Sequence, residues 1–384
     1  MCKTGRATRL SDPKTNSKLL IRSNSPRVPV SSSPSSSSIP FTTADLTSSS
    51  FSSSFSLAAG VVPRGPTLFP FLELLSATDQ FLSPSSSSSS WRCSLRGADA
   101  VVSRRRFLAD PSSLPSRLAD LSRFHHAAVA PLLGASLGAD HLFLVHQFVP
   151  GPSLSSCLRP NPKSPRNSRF TPLSSWLSRL IVADDIAHGL QYIHQGSVHG
   201  RIKSSGVIVT EPGCRAVICH FGSAELAGEG EDGRIEGTRG YMAPEILAGG
   251  RISRSADVYA FGVVLLELIS GAEPVSYLFN EESGDWERRS IIETARGTVG
   301  EGDGEKRVMR IRQWVDGRLG DSFPVEEAEK LIRVGLRCVE AEEEKRSDMV
   351  WVAGKISKLL IDANKWNETF QRPMEGSLDG KKST

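Results

Sequence analysis

Residues 198–209 read VHGRIKSSGVIV, a polar loop that runs into a short β-branched stretch. Two further motifs follow toward the C-terminus, CHFG at residues 219–222 and GTRGYMAPE at residues 237–245. β-Branched residues such as the VIV stretch favour a strand, and the flanking Gly and Ser residues favour loops. We take these three segments, in this order, as the frame of one candidate site.

The three segments resemble the catalytic core of the protein kinases, in which HRDxKxxxN is followed by DFG and then by APE. His199 and Lys203 match the first motif, and the APE motif is present. Three positions depart from the pattern, because Arg201 stands at the base Asp, Gly206 at the Asn and His220 at the Asp of DFG. The resemblance therefore implies a kinase frame with no intact catalytic set.

The departures remove the groups that phosphoryl transfer requires. That reaction needs a side chain that orients the substrate hydroxyl, and hard oxygen ligands that hold Mg²⁺. Arg201 neither accepts a proton nor binds a cation, Gly206 offers no side-chain ligand, and His220 is a poor ligand for Mg²⁺. We expect no metal and no cofactor, with ATP bound without Mg²⁺ as the one exception that stays open.

The resemblance implies further departures in the N-terminal part of the domain. Ser103 falls where the kinase strand carries its phosphate-binding lysine, and Arg117 falls at the glutamate that pairs with that lysine. Residues 104–106 are all Arg, and we leave open whether one replaces the lysine or all three form a solvated strand end. Residues 85–90 are all Ser where kinases carry a glycine-rich loop, and serine Cβ atoms oppose close approach of the backbone to phosphate.

A hinge that could receive a nucleotide base is also implied. Residues 144–148 read LVHQF and resemble the LVYEY stretch of receptor-like kinases, which places His146 at the gatekeeper position. The backbone groups of Gln147, Phe148 and Val149 are the candidate partners for adenine.

The structural positions of the kinase frame are retained. Residues 257–268 match the central kinase helix, whose leading Asp257 is expected to accept hydrogen bonds from the catalytic-loop backbone. Glu245 and Arg346 are expected to form a buried ion pair, and loss of one partner should cost about 3–5 kcal/mol of stability.

Subfamily features extend the resemblance beyond the site. Residues 69–81 follow the pattern FxxxELxxATxxF, and residues 176–194 follow the form of the helix that precedes the catalytic loop in plant receptor-like kinases. The chain is identified as a degenerate member of the plant receptor-like cytoplasmic kinases, related to the LysM receptor-like kinases. This implies an α+β bilobal fold with a small β-rich N-lobe and a larger helical C-lobe.

Composition and the kinase resemblance together set the expected domain boundaries. Residues 1–66 contain long serine runs, which bury too little apolar area to offset chain entropy, and we predict a disordered tail. The kinase-like domain is predicted over residues 67–362, with the N-lobe at 67–149 and the C-lobe at 150–362. Residues 363–384 are predicted to be a polar tail.

Local patterns predict the individual elements. Apolar spacing predicts a helix from Arg117 to His126, and another that begins near Trp176 behind an N-cap at Ser174. Further expectations are a polar loop over residues 161–169, a surface loop over residues 279–305 and an amphipathic helix from Glu326 to Val339.

Charge and cysteine usage bear on the compartment. The net charge is +4, and residues 1–30 hold seven Lys or Arg against one acidic residue. Such a segment suits an anionic membrane surface, although a solvated tail is the simpler interpretation. Cys2 lies beside basic residues and is a candidate for S-acylation. The six scattered cysteines fit a reducing compartment, no signal peptide or transmembrane segment is evident, and we expect a cytoplasmic protein, with plasma-membrane association as a further option.

Three functions are weighed against these observations. The preferred one is a catalytically inactive pseudokinase that acts as a scaffold or allosteric partner in receptor-kinase signalling. The alternative is a low-activity Ser/Thr protein kinase that binds ATP with atypical site residues, and the third is an unselected gene remnant. The expected partners are receptor kinases or other signalling proteins, with no nucleic acid.

Overall fold

The computed structural model describes residues 66–82, 89–160, 173–230, 235–280, 284–302 and 304–371. Most of the serine-rich N-terminal segment, most of the serine run 85–90 and the polar loop 161–169 lie outside these ranges. Over the described ranges, no helix has both the length and the apolar character required to cross a bilayer.

The N-lobe is built on a five-stranded sheet with the strand order β1-β4-β5-β3-β2. β1 pairs with β4 in parallel, and the other neighbours are antiparallel. Two helices accompany the sheet, α1 between β1 and β2 and α2 after β3. The bounds are β1 Thr67–Leu68, α1 Phe71–Ala77, β2 Ser90–Leu95, β3 Ala98–Arg106, α2 Leu114–Leu121, β4 Leu132–Gly138 and β5 His141–Gln147.

Helix α1 is held on one face of this sheet by aromatic packing. Phe81, just after α1, stacks on Phe143 of β5 with ring centroids 5.0 Å apart. It also meets Trp91 edge-on at 4.8 Å, and the Trp91 indole N–H donates to the Phe81 carbonyl at 3.1 Å. These contacts explain the FxxxELxxATxxF pattern, because its aromatic ends cover the outer core of the N-lobe.

Helix α2 is shorter than the sequence predicted and lies earlier in the chain. It ends at Leu121, so the prediction of a helix from Arg117 to His126 was wrong at both ends. Asp110 accepts the Ser112 N–H at 3.1 Å and caps a short 3-10 turn, Pro111–Ser113, which leads directly into the helix. Phe124 follows the helix in a turn and packs edge-on against Phe221 at 5.2 Å. Phe124 therefore continues the apolar spacing of the helix in the sequence, although it lies just after the helix end and is only partly buried there.

The C-lobe is mainly helical and surrounds one long central helix, α7. Its elements also include two small antiparallel hairpins, β6–β7 and β8–β9. The bounds are α3 Leu154–Leu158, α4 Trp176–Ile193, β6 Val207–Thr210, β7 Arg215–Ile218, α5 Ser223–Ala227, α6 Pro244–Leu247, α7 Arg254–Ser270, β8 Val275–Phe279, β9 Trp286–Ser290, α8 Ile291–Val299, α9 Gly304–Trp314, α10 Val325–Cys338 and α11 Met349–Gln371.

Helix α7 forms the core because it is apolar on all sides, as expected for a fully buried helix. Of its two buried acids, Asp257 and Glu267, the second has no exposed surface and is fully satisfied. It accepts from Arg159 at 2.8 Å, from the Ser204 hydroxyl at 2.9 Å and from the Tyr241 hydroxyl at 2.8 Å. This network ties the loop after residue 203 to the centre of the C-lobe.

Two sequence predictions for the C-lobe were wrong. Residues 279–305, predicted as a surface loop, contain the end of β8, all of β9, α8 and the start of α9. Ile291, Ala295 and Val299 are buried at helical spacing, a signal that the surrounding Gly and Glu residues had obscured. The N-cap of α4 is Ser175 rather than Ser174, because its hydroxyl accepts the Ser178 N–H at 3.1 Å.

The final helix crosses residue 362, which was the predicted end of the kinase-like domain. It runs to Gln371, and Leu359 and Ala363 lie on its buried face. The predicted helix over 326–339 agrees with α10. The α+β bilobal fold class is confirmed.

Candidate functional site

The loop at residues 198–206 is anchored to the core by one carboxylate. Asp257, the fourth residue of α7, accepts the backbone N–H groups of His199 and Gly200 at 2.7 Å each, and the ring of His194 at 3.1 Å. Gly200 has a φ of +76°, a conformation that a side chain disfavours. The expected role of Asp257 is therefore visible in the geometry.

Arg201, which stands at the position of the catalytic base, forms an ion pair. Its guanidinium donates to the carboxylates of Glu229 and Glu236, the second at 3.3 Å. The Glu229 side chain is 4% exposed, and burial raises its pKa while Arg201 opposes the rise. Sequence analysis missed both acids, because they lie in a glycine-rich stretch with no motif to mark them.

Lys203, the retained lysine, lies beside Thr238 of the following segment, with its amine 3.1 Å from the threonine hydroxyl. Burial and the nearby Arg105 and Arg201 lower the pKa of Lys203 below its usual value. Gly206 contributes only backbone groups, since its carbonyl accepts the Cys219 N–H at 2.8 Å. This part of the site therefore presents the amine of Lys203, and position 206 offers no carboxylate or amide side chain as a ligand.

His220, at the position of the DFG Asp, is a buried neutral imidazole. Burial, followed by the influence of His146 and Arg105, lowers its pKa well below the usual value. The His146 Nε2–H donates to the Phe221 carbonyl at 2.9 Å, and burial lowers the pKa of His146 to about 4. The two imidazole rings lie 6.0 Å apart. Both side chains are therefore neutral at pH 7 and supply no negative charge for a cation.

The lysine–glutamate pair of kinases is replaced by unrelated contacts. The buried Ser103 hydroxyl has no hydrogen-bond partner in the described part of the chain. Arg117 donates to the Glu225 carbonyl at 3.3 Å. Glu225 belongs to α5, which contacts both β3 and α2. Helix α5 thus lies against both the strand and the helix that carry these two positions.

Arg105 is the arginine of residues 104–106 that reaches the site. We call the cavity that it lines the cleft. Arg105 lies on β3 two residues after Ser103, on the same face of the strand, and it lines a cavity of about 70 Å³ with Arg201, Lys203 and His220. Burial and Arg201 lower the pKa of Arg105. The interpretation of residues 104–106 as a wholly solvated strand end therefore does not hold for Arg105, and the replacement of the lysine by this arginine stays a prediction.

The donor set of the cleft does not fit Mg²⁺. Where the kinase motif supplies an acid, an amide and a second acid, this cleft presents Arg201, Gly206 and His220. Glu229 and Glu236 approach the site but are engaged by Arg201. In the described ranges, no group of three or more His, Cys, Asp or Glu side chains is arranged to hold a metal ion. The residues of the cleft therefore do not form a site for Mg²⁺-dependent phosphoryl transfer.

Two of the three predicted hinge residues use their backbone N–H groups for hydrogen bonds within the fold. Gln147 donates its N–H to the Pro131 carbonyl and Phe148 donates to the Asp99 carbonyl, each at 3.0 Å. Val149 follows these two residues, two positions after the end of β5. Among the three predicted hinge residues, Val149 is therefore the candidate N–H donor to a base.

Glu245 and Arg346 form the expected ion pair. The two guanidinium nitrogens donate to the two carboxylate oxygens at 2.6 and 2.7 Å. The Arg346 side chain is 1% exposed, and it also donates to the Glu340, Ser255 and Ala341 carbonyls. This pair joins the segment after the site to the loop before α11.

Comparison with known proteins agrees with this architecture. The family model for the protein kinase domain matches residues 109–349. LysM domain receptor-like kinase 3 of Arabidopsis thaliana is 31% identical over 319 residues, covering 79% of this chain and 48% of the relative. Chitin elicitor receptor kinase 1 of the same plant is 32% identical over 353 residues, covering 86% and 54%. The chain thus spans about half the length of these curated relatives.

Among solved structures, the chain is similar to the pseudokinase domain of BIR2, described as an immune regulator of the RLK/Pelle family. The TM-score is 0.58 and the sequence identity is 22%, with 80% of this chain and 94% of the other covered. At that identity the likeness concerns the fold.

Proposed function

The chain belongs to the protein kinase family and is related to the plant receptor-like kinases, and from that premise we propose that it is a catalytically inactive member. In this proposal the domain acts as a scaffold or allosteric partner of receptor kinases. The main support for this proposal is the ion pair of Arg201 with Glu229. It places a positively charged side chain, already paired with a carboxylate, at the position of the catalytic base.

The electrostatics of the cleft support the same function. Arg105, Arg201 and Lys203 gather around His220, a neutral imidazole. Such a site attracts anions and repels divalent cations. We propose that any nucleotide bound here binds without Mg²⁺, with Arg105 and Lys203 toward its phosphates and Val149 toward its base.

The partners and location of the domain are part of the proposal. The curated relatives named above are receptor kinases, which supports a receptor kinase as the partner class. We further propose a cytoplasmic domain that contacts the plasma membrane through Cys2 and the basic segment that follows it. Those N-terminal residues lie outside the described ranges, so the membrane contact rests on their composition alone.

A phosphoryl-transfer assay tests the proposal. Purified full chain with Mg²⁺ and radiolabelled ATP should transfer no more phosphate, to itself or to a generic protein substrate, than a Lys203→Ala variant does. Loss of the general base alone typically costs roughly 10²–10⁴-fold in rate, and the metal ligands are lost as well. Transfer that depends on Mg²⁺ and disappears in Lys203→Ala would instead establish the alternative, a low-activity Ser/Thr kinase.

A further inference from the structure

A groove between α10 and α11 is lined mainly by basic side chains. Its volume is about 440 Å³. Val334 and Leu359 form its floor and are 6% and 5% exposed. The basic residues on its walls are Lys330, Arg333 and Arg337 on α10, and Lys355 and Lys358 on α11.

Helical spacing produces this arrangement. Lys330, Arg333 and Arg337 recur at three and four residues on α10, so they project from one face. Lys355 and Lys358 do the same on the facing side of α11. The two helices thus direct their basic faces into one concave space, which composition alone would not reveal.

Three of these cations have no acidic partner in the described part of the chain. Lys330 and Arg333 are paired at 2.8 Å with Glu327 and Glu329 on their own helix. Arg337, Lys355 and Lys358 form no ion pair within those ranges.

The groove contains one acidic residue and one aromatic residue. Asp362, the single acid of the lining, lies 3.8 Å from Lys365. Trp351 is 40% exposed, and the Lys355 amine lies 5.4 Å from its ring centroid. The groove therefore combines positive charge on its walls with an apolar floor and an aromatic wall.

We propose that this groove binds an acidic peptide segment of a partner protein, in which carboxylates or phosphates flank one apolar side chain. The acidic groups would pair with Arg337, Lys355 and Lys358, and the apolar side chain would contact Val334, Leu359 and Trp351. A peptide fits better than a bilayer surface, because the apolar floor is recessed between two helices where a flat surface does not reach.

Fluorescence anisotropy with a labelled probe tests the proposal. The probe is a synthetic peptide with glutamates on both sides of a single leucine, and its control carries lysines in place of the glutamates. Full-length protein should bind the acidic peptide and not the basic one. Affinity should fall with added salt, because exposed charge pairs are screened.

Matched variants assign the binding to the groove. The triple variant Arg337→Glu, Lys355→Glu, Lys358→Glu should weaken binding by about tenfold or more. The control triple Arg288→Glu, Arg289→Glu, Lys306→Glu changes the net charge equally at exposed positions elsewhere, and it should bind as the wild type does. Trp351→Ala, which leaves the charge unchanged, should also weaken binding at constant salt.

Several outcomes would overturn the proposal. These are the absence of acidic-peptide binding, an equal loss in the control triple, or unchanged binding by Trp351→Ala. Sedimentation with phosphatidylserine vesicles provides a further arm. Vesicle binding that requires the groove cations, without peptide binding, would assign the groove to a membrane surface and exclude the peptide.

Discussion

Replacement of Arg346 by alanine should lower the free energy of unfolding by about 3 kcal/mol, the lower end of the range for a broken buried ion pair. The guanidinium donates to both oxygens of Glu245 and to three backbone carbonyls. Its loss removes all of these hydrogen bonds and leaves the Glu245 carboxylate without its cation. The lower end applies because the Glu245 side chain is 23% exposed, so water can solvate part of its carboxylate.

The adjacent Lys345 provides a matched control. Its amine pairs with Glu342 at 2.5 Å, but the two side chains are 57% and 67% exposed. Lys345→Ala should therefore change stability by less than about 1 kcal/mol. Urea denaturation followed by circular dichroism measures both variants. Equal effects of the two substitutions would show that the Glu245–Arg346 pair does not hold the domain together.

Replacement of Arg201 by alanine should also destabilise the fold by about 3 kcal/mol, because it leaves the buried carboxylate of Glu229 without its partner. A kinase that used this position for catalysis would instead lose activity with little change in stability. The prediction thus separates a structural role of residue 201 from a catalytic one.

A double-mutant cycle isolates the ion pair. Glu229→Gln removes the negative charge, so the combination Arg201→Ala, Glu229→Gln should be more stable than Arg201→Ala alone. We expect a coupling energy of about 2 kcal/mol, within the range for residues in direct contact. Additive effects in the cycle would mean that Arg201 and Glu229 do not stabilise each other.

The architecture could be predicted from sequence because it depends on patterns that leave a local signature. The β-branched run of β6, the fully apolar helix α7 and the APE motif each specify an element and its neighbours. Asp257 and Arg346 could be placed with them, since each satisfies backbone or carboxylate groups that the frame itself supplies. These residues act through the fold, and both the fold and their roles were implied by the resemblance of the motifs to those of the protein kinases.

The contents of the cleft were less predictable, because they depend on contacts between segments far apart in the chain. Glu229 and Glu236 reach Arg201 across about thirty residues of sequence, and no spacing rule connects them. The role of Arg105 required the strand register, which sets the face on which each of residues 104–106 lies. The error over residues 279–305 has another cause, since Gly and Glu suggested a loop while tertiary burial of Ile291 and Ala295 stabilised a helix.

Binding of Mn²⁺, a paramagnetic substitute for Mg²⁺, tests the central claim most directly. Electron paramagnetic resonance reports the free Mn²⁺ that remains with protein and ATP present. If Arg201 engages both Glu229 and Glu236, wild type and the double variant Glu229→Gln, Glu236→Gln should leave the same amount of free Mn²⁺. Binding of one additional Mn²⁺ per chain by the wild type would contradict the account, because it would show that these two carboxylates hold a metal in the cleft.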